Sequence, residues 1–316
     1  MPLPEPESGG RRAFLRGSAQ FLLSRFGGGA AAAGKIDPAV RFGLFTDLHH
    51  ADKPPNGTRH YREAASRLRA AVRHFKSAKA DFAAELGDFI DEAGTPAGEA
   101  RNLKTIEAEF RRFGGTCHHV LGNHCVWTLE KRDFLEICGV RSSYYSFDSH
   151  GIHFVVLDAC FRKDGVPYGG RNFDWKDSDI PEAERAWLAR DLGANPRPAI
   201  VFVHQRLDAP PPYGIAGGVE LRRILERAGK TVAVFQGHHH RNSYNEINGI
   251  HYCTLNAMVE GPGEQNGAYC MVQADPAGNL QVEGFRNQQS YAFQRPAAVP
   301  SGEKTNSRLG SSSGSR

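Results

Sequence analysis

The chain has 316 residues, of which 40% are hydrophobic and 23% charged, an ordinary globular balance with room for one large domain or two small ones. Its formal net charge is +4. Arg11, Arg12, Arg16 and Arg25 supply much of that, which leaves the folded part closer to neutral and gives no argument for a nucleic-acid partner. None of the six cysteines forms a Cys-x-x-Cys pair; in apolar runs such as those around Cys253 and Cys270 they read as buried free thiols. One or two disulfides stay open if the chain is exported.

In chain order, Gly10-Arg11-Arg12-Ala13-Phe14-Leu15-Arg16 is similar to a twin-arginine export signal. A short apolar stretch follows, interrupted by Arg25 and ending in Ala30-Ala31-Ala32-Ala33-Gly34, small residues that suit a cleavage site. That stretch is too short and Gly-rich to anchor in a bilayer. Residues 1–35 are therefore expected to be a twin-arginine-type signal that exports the protein to a periplasmic or other extracytoplasmic space, or else a disordered basic tail of a cytoplasmic one. Residues 294–316, rich in Ser and Gly, are expected to be disordered.

Between the tails, residues 36–293 read as one α/β domain. Residues 40–45 form a short apolar strand that runs into Asp47. Residues 59–79 are periodic, with Ala64, Leu68, Ala71, Val72 and Phe75 on one helical face. Residues 81–86 are a strand delivering Asp88. Residues 99–113 are an amphipathic helix, with Leu103, Ile106, Phe110 and Phe113 inward. Residues 117–121 are a strand delivering Asn123 and His124. This alternation implies βαβ units and parallel strands. Residues 144–147 and 152–157 predict a hairpin, 182–192 and 219–228 helices, and 199–203 and 231–235 buried strands that end at His204 and Gly237-His238. After Ser243, short strands with turns at Asn248-Gly249 and Asn266-Gly267 and no helix between them suggest a second, antiparallel sheet. The fold class expected is a sandwich of two mixed β-sheets flanked by helices. The long polar segment 162–179 is expected to be a loop near the site.

Each strand that begins in the apolar interior ends on a chemical residue. Asp47-Leu48-His49, Gly87-Asp88, Gly122-Asn123-His124, His204 and Gly237-His238-His239-His240 gather carboxylate, amide and imidazole donors where strands give way to loops. Divalent metals take such O and N ligands, and a mixed set can hold two ions that share a carboxylate.

The order Asp-x-His, Gly-Asp-x-x-Asp, Gly-Asn-His, His, Gly-His-x-His resembles the calcineurin-like metallophosphoesterase family. The resemblance implies the metallophosphoesterase sandwich and two metal ions, Mn, Fe or Zn. Asp47, His49 and His240 would hold one, Asn123, His204 and His238 the other, with Asp88 between them. It implies attack of a metal-bridging hydroxide on phosphorus, with His124 facing the leaving oxygen and Asp91 orienting His124. Substrates would be phosphorylated small molecules or nucleotides, as monoesters, diesters or diphosphates. Nothing points to a nucleic-acid partner or a stable membrane anchor, and oligomeric state is open. There are departures. Cys125 stands where an acidic residue is usual, His239 where a hydroxyl is usual, and Asp91 where purple acid phosphatases carry Tyr. Residues 42–47, 50–52, 59–62, 249–252 and 259–261 are similar to manganese-dependent ADP-ribose/CDP-alcohol diphosphatases, a subgroup with an amide residue at the position of His49. His50, His118 and His119 receive no role. The alternative function is a catalytically silent binding module on the same fold. Acyl-transfer metallohydrolysis is disfavoured because no His-x-His-x-Asp-His cluster occurs.

Overall fold

The computed structural model describes residues 39–293. The signal-like residues 1–35 and the tail 294–316 lie outside the described residues. Strand β1 (Val40–Phe45) leads through a 3-10 turn into α1 (Ala64–Ser77), then β2 (Phe82–Glu85), α2 (Pro96–Arg111) and β3 (Thr116–His119). Helix α2 starts where the sequence chemistry directs: Thr95 caps it by accepting the Gly98 N–H, and Pro96 occupies the first turn. A short α3 (Lys131–Cys138) follows, which periodicity alone did not mark. Its signals are at its ends, a reciprocal Glu130–Asp133 capping box and left-handed Gly139 after Cys138. The second half runs β4 (Tyr145–Ser149), β5 (Ile152–Val156), α4 (Glu182–Ala194), β6 (Ala199–Phe202), α5 (Gly218–Ala228), β7 (Thr231–Gln236), β8 (Ser243–Ile247), β9 (Ile250–Thr254), β10 (Tyr269–Ala274), β11 (Leu280–Phe285) and β12 (Tyr291–Phe293).

These strands form two six-stranded mixed sheets, ordered β12-β11-β10-β1-β2-β3 and β4-β5-β6-β7-β9-β8. The first has β1, β2 and β3 parallel and β10 antiparallel to β1. The second has β5, β6, β7 and β9 parallel, with the β4 and β8 hairpin arms at its edges. The strands after Ser243 therefore do not make a sheet of their own, as the sequence suggested. Strand β9 is buried along its whole length and pairs parallel to β7, while β10 to β12 return to β1. A hairpin turn reveals local pairing, but the outer partner is chosen by long-range burial.

Three apolar layers result. Between the sheets, Phe42 stacks on Phe82 at 4.9 Å and meets Phe154 edge-on at 5.3 Å. Helices α1 to α3 cover the outer face of the first sheet through Leu68, Phe75, Leu103, Phe110 and Phe134. Helices α4 and α5 cover the second through Leu188, Leu221 and Leu225. All six cysteines are buried free thiols. Among the described residues, no helix is long and apolar enough to cross a membrane. The parallel strands of both sheets end on one side, where open α/β sheets place their ligands.

Candidate metal centre

The loops leaving β1 and β2 stay paired beyond the strands: the N–H groups of Asp47 and His49 donate to the carbonyls of Gly87 and Asp88 at 3.0 and 2.8 Å. Gly237 in turn donates to His204 O at 3.0 Å, and Val259 to Asp47 O at 3.0 Å. This lattice of backbone bonds holds the side chains in conformations that few L-residues adopt. Asp47, His49, Asp88, His238 and His240 all sit at left-handed φ, between 47° and 68°, a cost of the kind that concentrates at functional sites. Two of the motif glycines are required for different reasons. Gly87 turns the chain at φ 97°. Gly122 has an ordinary φ of −105° and needs no left-handed turn; a Cβ there would strike the backbone of Asp88.

Asp47, His49 and His240 converge, and so do Asp88, His204 and His238. Asp47 Oδ2 accepts from Thr46 Oγ1 at 2.8 Å and from His238 N at 3.0 Å, while Oδ1 is buried with no hydrogen bond. Facing that oxygen are His240 Nε2 at 3.2 Å and His49 Nε2 at 3.7 Å. His49 uses Nδ1 on Asp91 at 2.8 Å, and His240 uses Nδ1 on Glu260 at 2.6 Å. Each carboxylate accepts from Nδ1, which leaves the two Nε2 atoms turned into the group, facing each other at 3.0 Å. Asp88 lies between the two groups: Oδ1 accepts the His124 N–H at 2.8 Å, and Oδ2 faces His204 Nε2 at 3.2 Å and His49 Nε2 at 3.5 Å. His204 donates Nδ1 to Leu86 O at 2.8 Å, and its Nε2 meets His238 Nδ1 at 3.2 Å. The amide oxygen of Asn123 and Nε2 of His238 are buried without partners.

Two buried carboxylates at the centre of this cluster call for positive charge. Burial opposes ionisation of Asp47 and Asp88, yet the surrounding histidines hold both well below the usual carboxylate range. The same attraction outweighs burial at His204 and His240 and pushes each up to about 9, whereas burial and the His204 charge push His238 down to about 3. Cations supplied from outside answer the same demand. The orphaned oxygens of Asp47 and Asn123 and the opposed imidazoles fit a pair of divalent ions, with Asp88 placed to touch both.

The family model of the calcineurin-like phosphoesterases matches residues 40–242. The chain belongs to the calcineurin-like phosphoesterase family. It is 24% identical over 283 residues to a manganese-dependent ADP-ribose/CDP-alcohol diphosphatase of Oryza sativa subsp. japonica, covering 74% of this chain and 88% of that protein. A protein of the same name from Arabidopsis thaliana is 23% identical, covering 81% and 97%. Among solved structures, a dimetal phosphatase from Danio rerio superposes with a TM-score of 0.72 at 20% identity, over 82% of this chain and all of that one.

As a calcineurin-like phosphoesterase the chain has some features that its motifs did not disclose. Asp91 lies closer to His49 than to His124: 2.8 Å from the first Nδ1 and 3.5 Å from the second. The oxygen nearer His124 is held instead by Lys53 at 2.6 Å, and His124 Nδ1 is buried without a hydrogen bond. Cys125 does not leave a gap: its buried sulfur accepts the Phe89 N–H at 3.4 Å. His239 turns away from the cluster and packs against Tyr213, with ring centroids 4.6 Å apart. His118 stacks on Phe147 instead, at 3.8 Å. The site opens into a cavity of about 440 Å³ lined by Arg59, Glu92, Trp127, Trp175 and Tyr213 as well as His124, Asn123, His238 and His240. Trp175 comes from the segment 162–179 and meets the His238 ring edge-on at 5.4 Å.

Glu260, twenty residues beyond its partner, was not singled out for a role. Replacing it with Ala is expected to weaken metal affinity by roughly 10–100-fold, as for other carboxylates that orient a ligating histidine. Metal titration followed by activity measures this, and Glu260→Gln, which keeps an acceptor oxygen, should recover part of the loss.

Proposed function

We propose that the chain is a dinuclear metal-dependent phosphoesterase whose preferred substrates are nucleotide-like molecules with a diphosphate linkage. The observation that carries the reading is the meeting of His49 Nε2 and His240 Nε2 at 3.0 Å beside the orphaned Asp47 Oδ1. We assign Asp47, His49 and His240 to one ion, Asn123, His204 and His238 to the other, and Asp88 to both. Bound there, two ions would neutralise phosphate charge and lower the pKa of a water. The protein's own groups do the rest. His124, held at its N–H by Asp88, points its ring into the cavity, where it can give a proton or hydrogen bond to a departing oxygen. Burial works against its proton, but Asp88 and Asp91 outweigh burial and raise its pKa above the ordinary value. Arg59 adds a fixed cation at the mouth, suited to a second phosphate. Trp175 and Tyr213, with centroids 5.9 Å apart, give a planar group an apolar wall beside His238.

The names of the plant relatives, which specify ADP-ribose and CDP-alcohols, support the substrate class. The test is a panel on the Mn²⁺-loaded protein: ADP-ribose, a CDP-alcohol, p-nitrophenyl phosphate and its diester. The diphosphates should give the highest kcat/KM. Faster turnover of the monoester would overturn the substrate class, and two bound metals with no hydrolysis of any substrate would favour the silent binding module. Trp175→Ala should lower kcat/KM for the nucleotides by roughly 5–150-fold, the equivalent of ~1–3 kcal/mol for stacking one base, and leave an alkyl phosphodiester nearly untouched.

A further inference from the structure

A second group of metal-binding side chains lies away from this pocket and shares no residue with it. Glu107 on α2, His119 at the end of β3 and Cys138 at the end of α3 bring one ligand atom each to within 4.8 Å of one another. All three residues are more than nine-tenths buried. His119 Nδ1 meets Glu85 Oε1 at 3.2 Å, which directs Nε2 towards the group. His119 Nε2 and Glu107 Oε2 lie 3.3 Å apart, and neither has a hydrogen bond of acceptable geometry. Glu107 spends its other oxygen on Arg111, which also donates to Cys138 O at 2.6 Å, so the carboxylate and the end of α3 are held in place from outside. A cavity of about 560 Å³ lined by Glu107, Arg111, Glu136 and Cys138 gives this corner a path to solvent.

We propose that Glu107, His119 and Cys138 form a third cation site, selective for zinc or cobalt over manganese. The donor set decides the selectivity. One imidazole, one carboxylate and one thiolate suit a tetrahedral ion of borderline softness, with a solvent ligand from the cavity as the fourth. The phosphoesterase pocket offers only oxygen and nitrogen. The exchange also balances in charge. A dication enters as the imidazole Nε2 proton and the Cys138 thiol proton leave, two charges for two, so Glu85, Glu107 and Arg111 keep their partners. The rival arrangement is a metal-free one in which a protonated His119 lies between two carboxylates.

Titration of the metal-free, full-length protein with Co²⁺ separates the two. Among the candidate ligands only Cys138 offers sulfur, so a thiolate-to-cobalt charge-transfer band in the near ultraviolet reports this site and not the phosphoesterase pocket. The expected result is a band that saturates at one thiolate-bound cobalt per chain, disappears in Cys138→Ser and weakens in Glu107→Gln. Turnover with Mn²⁺ should persist in both variants, and it shows that they are folded. Absence of the band from the wild-type protein at cobalt in excess of three equivalents overturns the proposal without any variant. A band of full strength in either variant overturns it too.

Discussion

Asp88→Asn is expected to leave a folded protein that holds at most one tightly bound Mn²⁺ and turns over substrate at least about 10³-fold more slowly. The carboxylate touches both halves of the centre, with Oδ2 3.2 Å from His204 Nε2 and 3.5 Å from His49 Nε2. An amide at the same place retains one oxygen and loses the charge that answers two cations. Metal ions contribute several kcal/mol of charge stabilisation in such sites, and about 4 kcal/mol corresponds to that thousandfold. Fold is preserved because Asn still offers an oxygen to the His124 N–H, the bond that ties the β2 loop to the β3 loop. Metal content by elemental analysis, read beside kcat on one diphosphate substrate, checks both halves. Two retained equivalents would remove Asp88 from the shared position.

The second large effect separates proton transfer from metal binding. His124→Ala should cut kcat by about 10²–10⁴, the usual contribution of a positioned acid, with both metals retained. His124 lies at the cavity wall beside Trp127, and no ligand atom of the two main groups depends on its ring. The loss should shrink when the leaving group is p-nitrophenolate, which departs without a proton. An equal loss for good and poor leaving groups would assign His124 to binding or to the shape of the pocket instead.

Much of this centre was legible in the sequence because its residues are local to strand ends. A continuous apolar run such as residues 199–203 announces a buried parallel strand, and the polar residue that follows must surface at the carboxyl edge of the sheet. Asp47, His49, Asp88, Asn123, His204, His238 and His240 follow from that logic and the family order, and the structure brings Asp47, His49 and His240 together, Asp88, His204 and His238 together, and Asn123 to the wall of the adjoining cavity. What remained hidden is long-range. Glu260 reaches His240 only because β8 and β9 fold back beside β7, a pairing that the hairpin turn at Asn248-Gly249 does not encode. The contact of Asp91 with His49 depends on the left-handed turn at His49. Trp175 and Tyr213 lie in connections without periodicity, so nothing local aimed them at His238. The buried group of Glu107, His119 and Cys138 was missed for the same reason: it joins two helix faces and a strand end with no shared spacing.

The central claim is that seven side chains from five stretches of chain hold two ions in one pocket. The most direct measurement is anomalous scattering from crystals of the protein loaded with Mn²⁺. The account predicts two peaks in the pocket, roughly 3.5–4 Å apart as in other two-metal sites, one against Asp47, His49 and His240, the other against Asn123, His204 and His238, with Asp88 touching both. A single peak there at saturating Mn²⁺, or two peaks that Asp88 does not join, would contradict it.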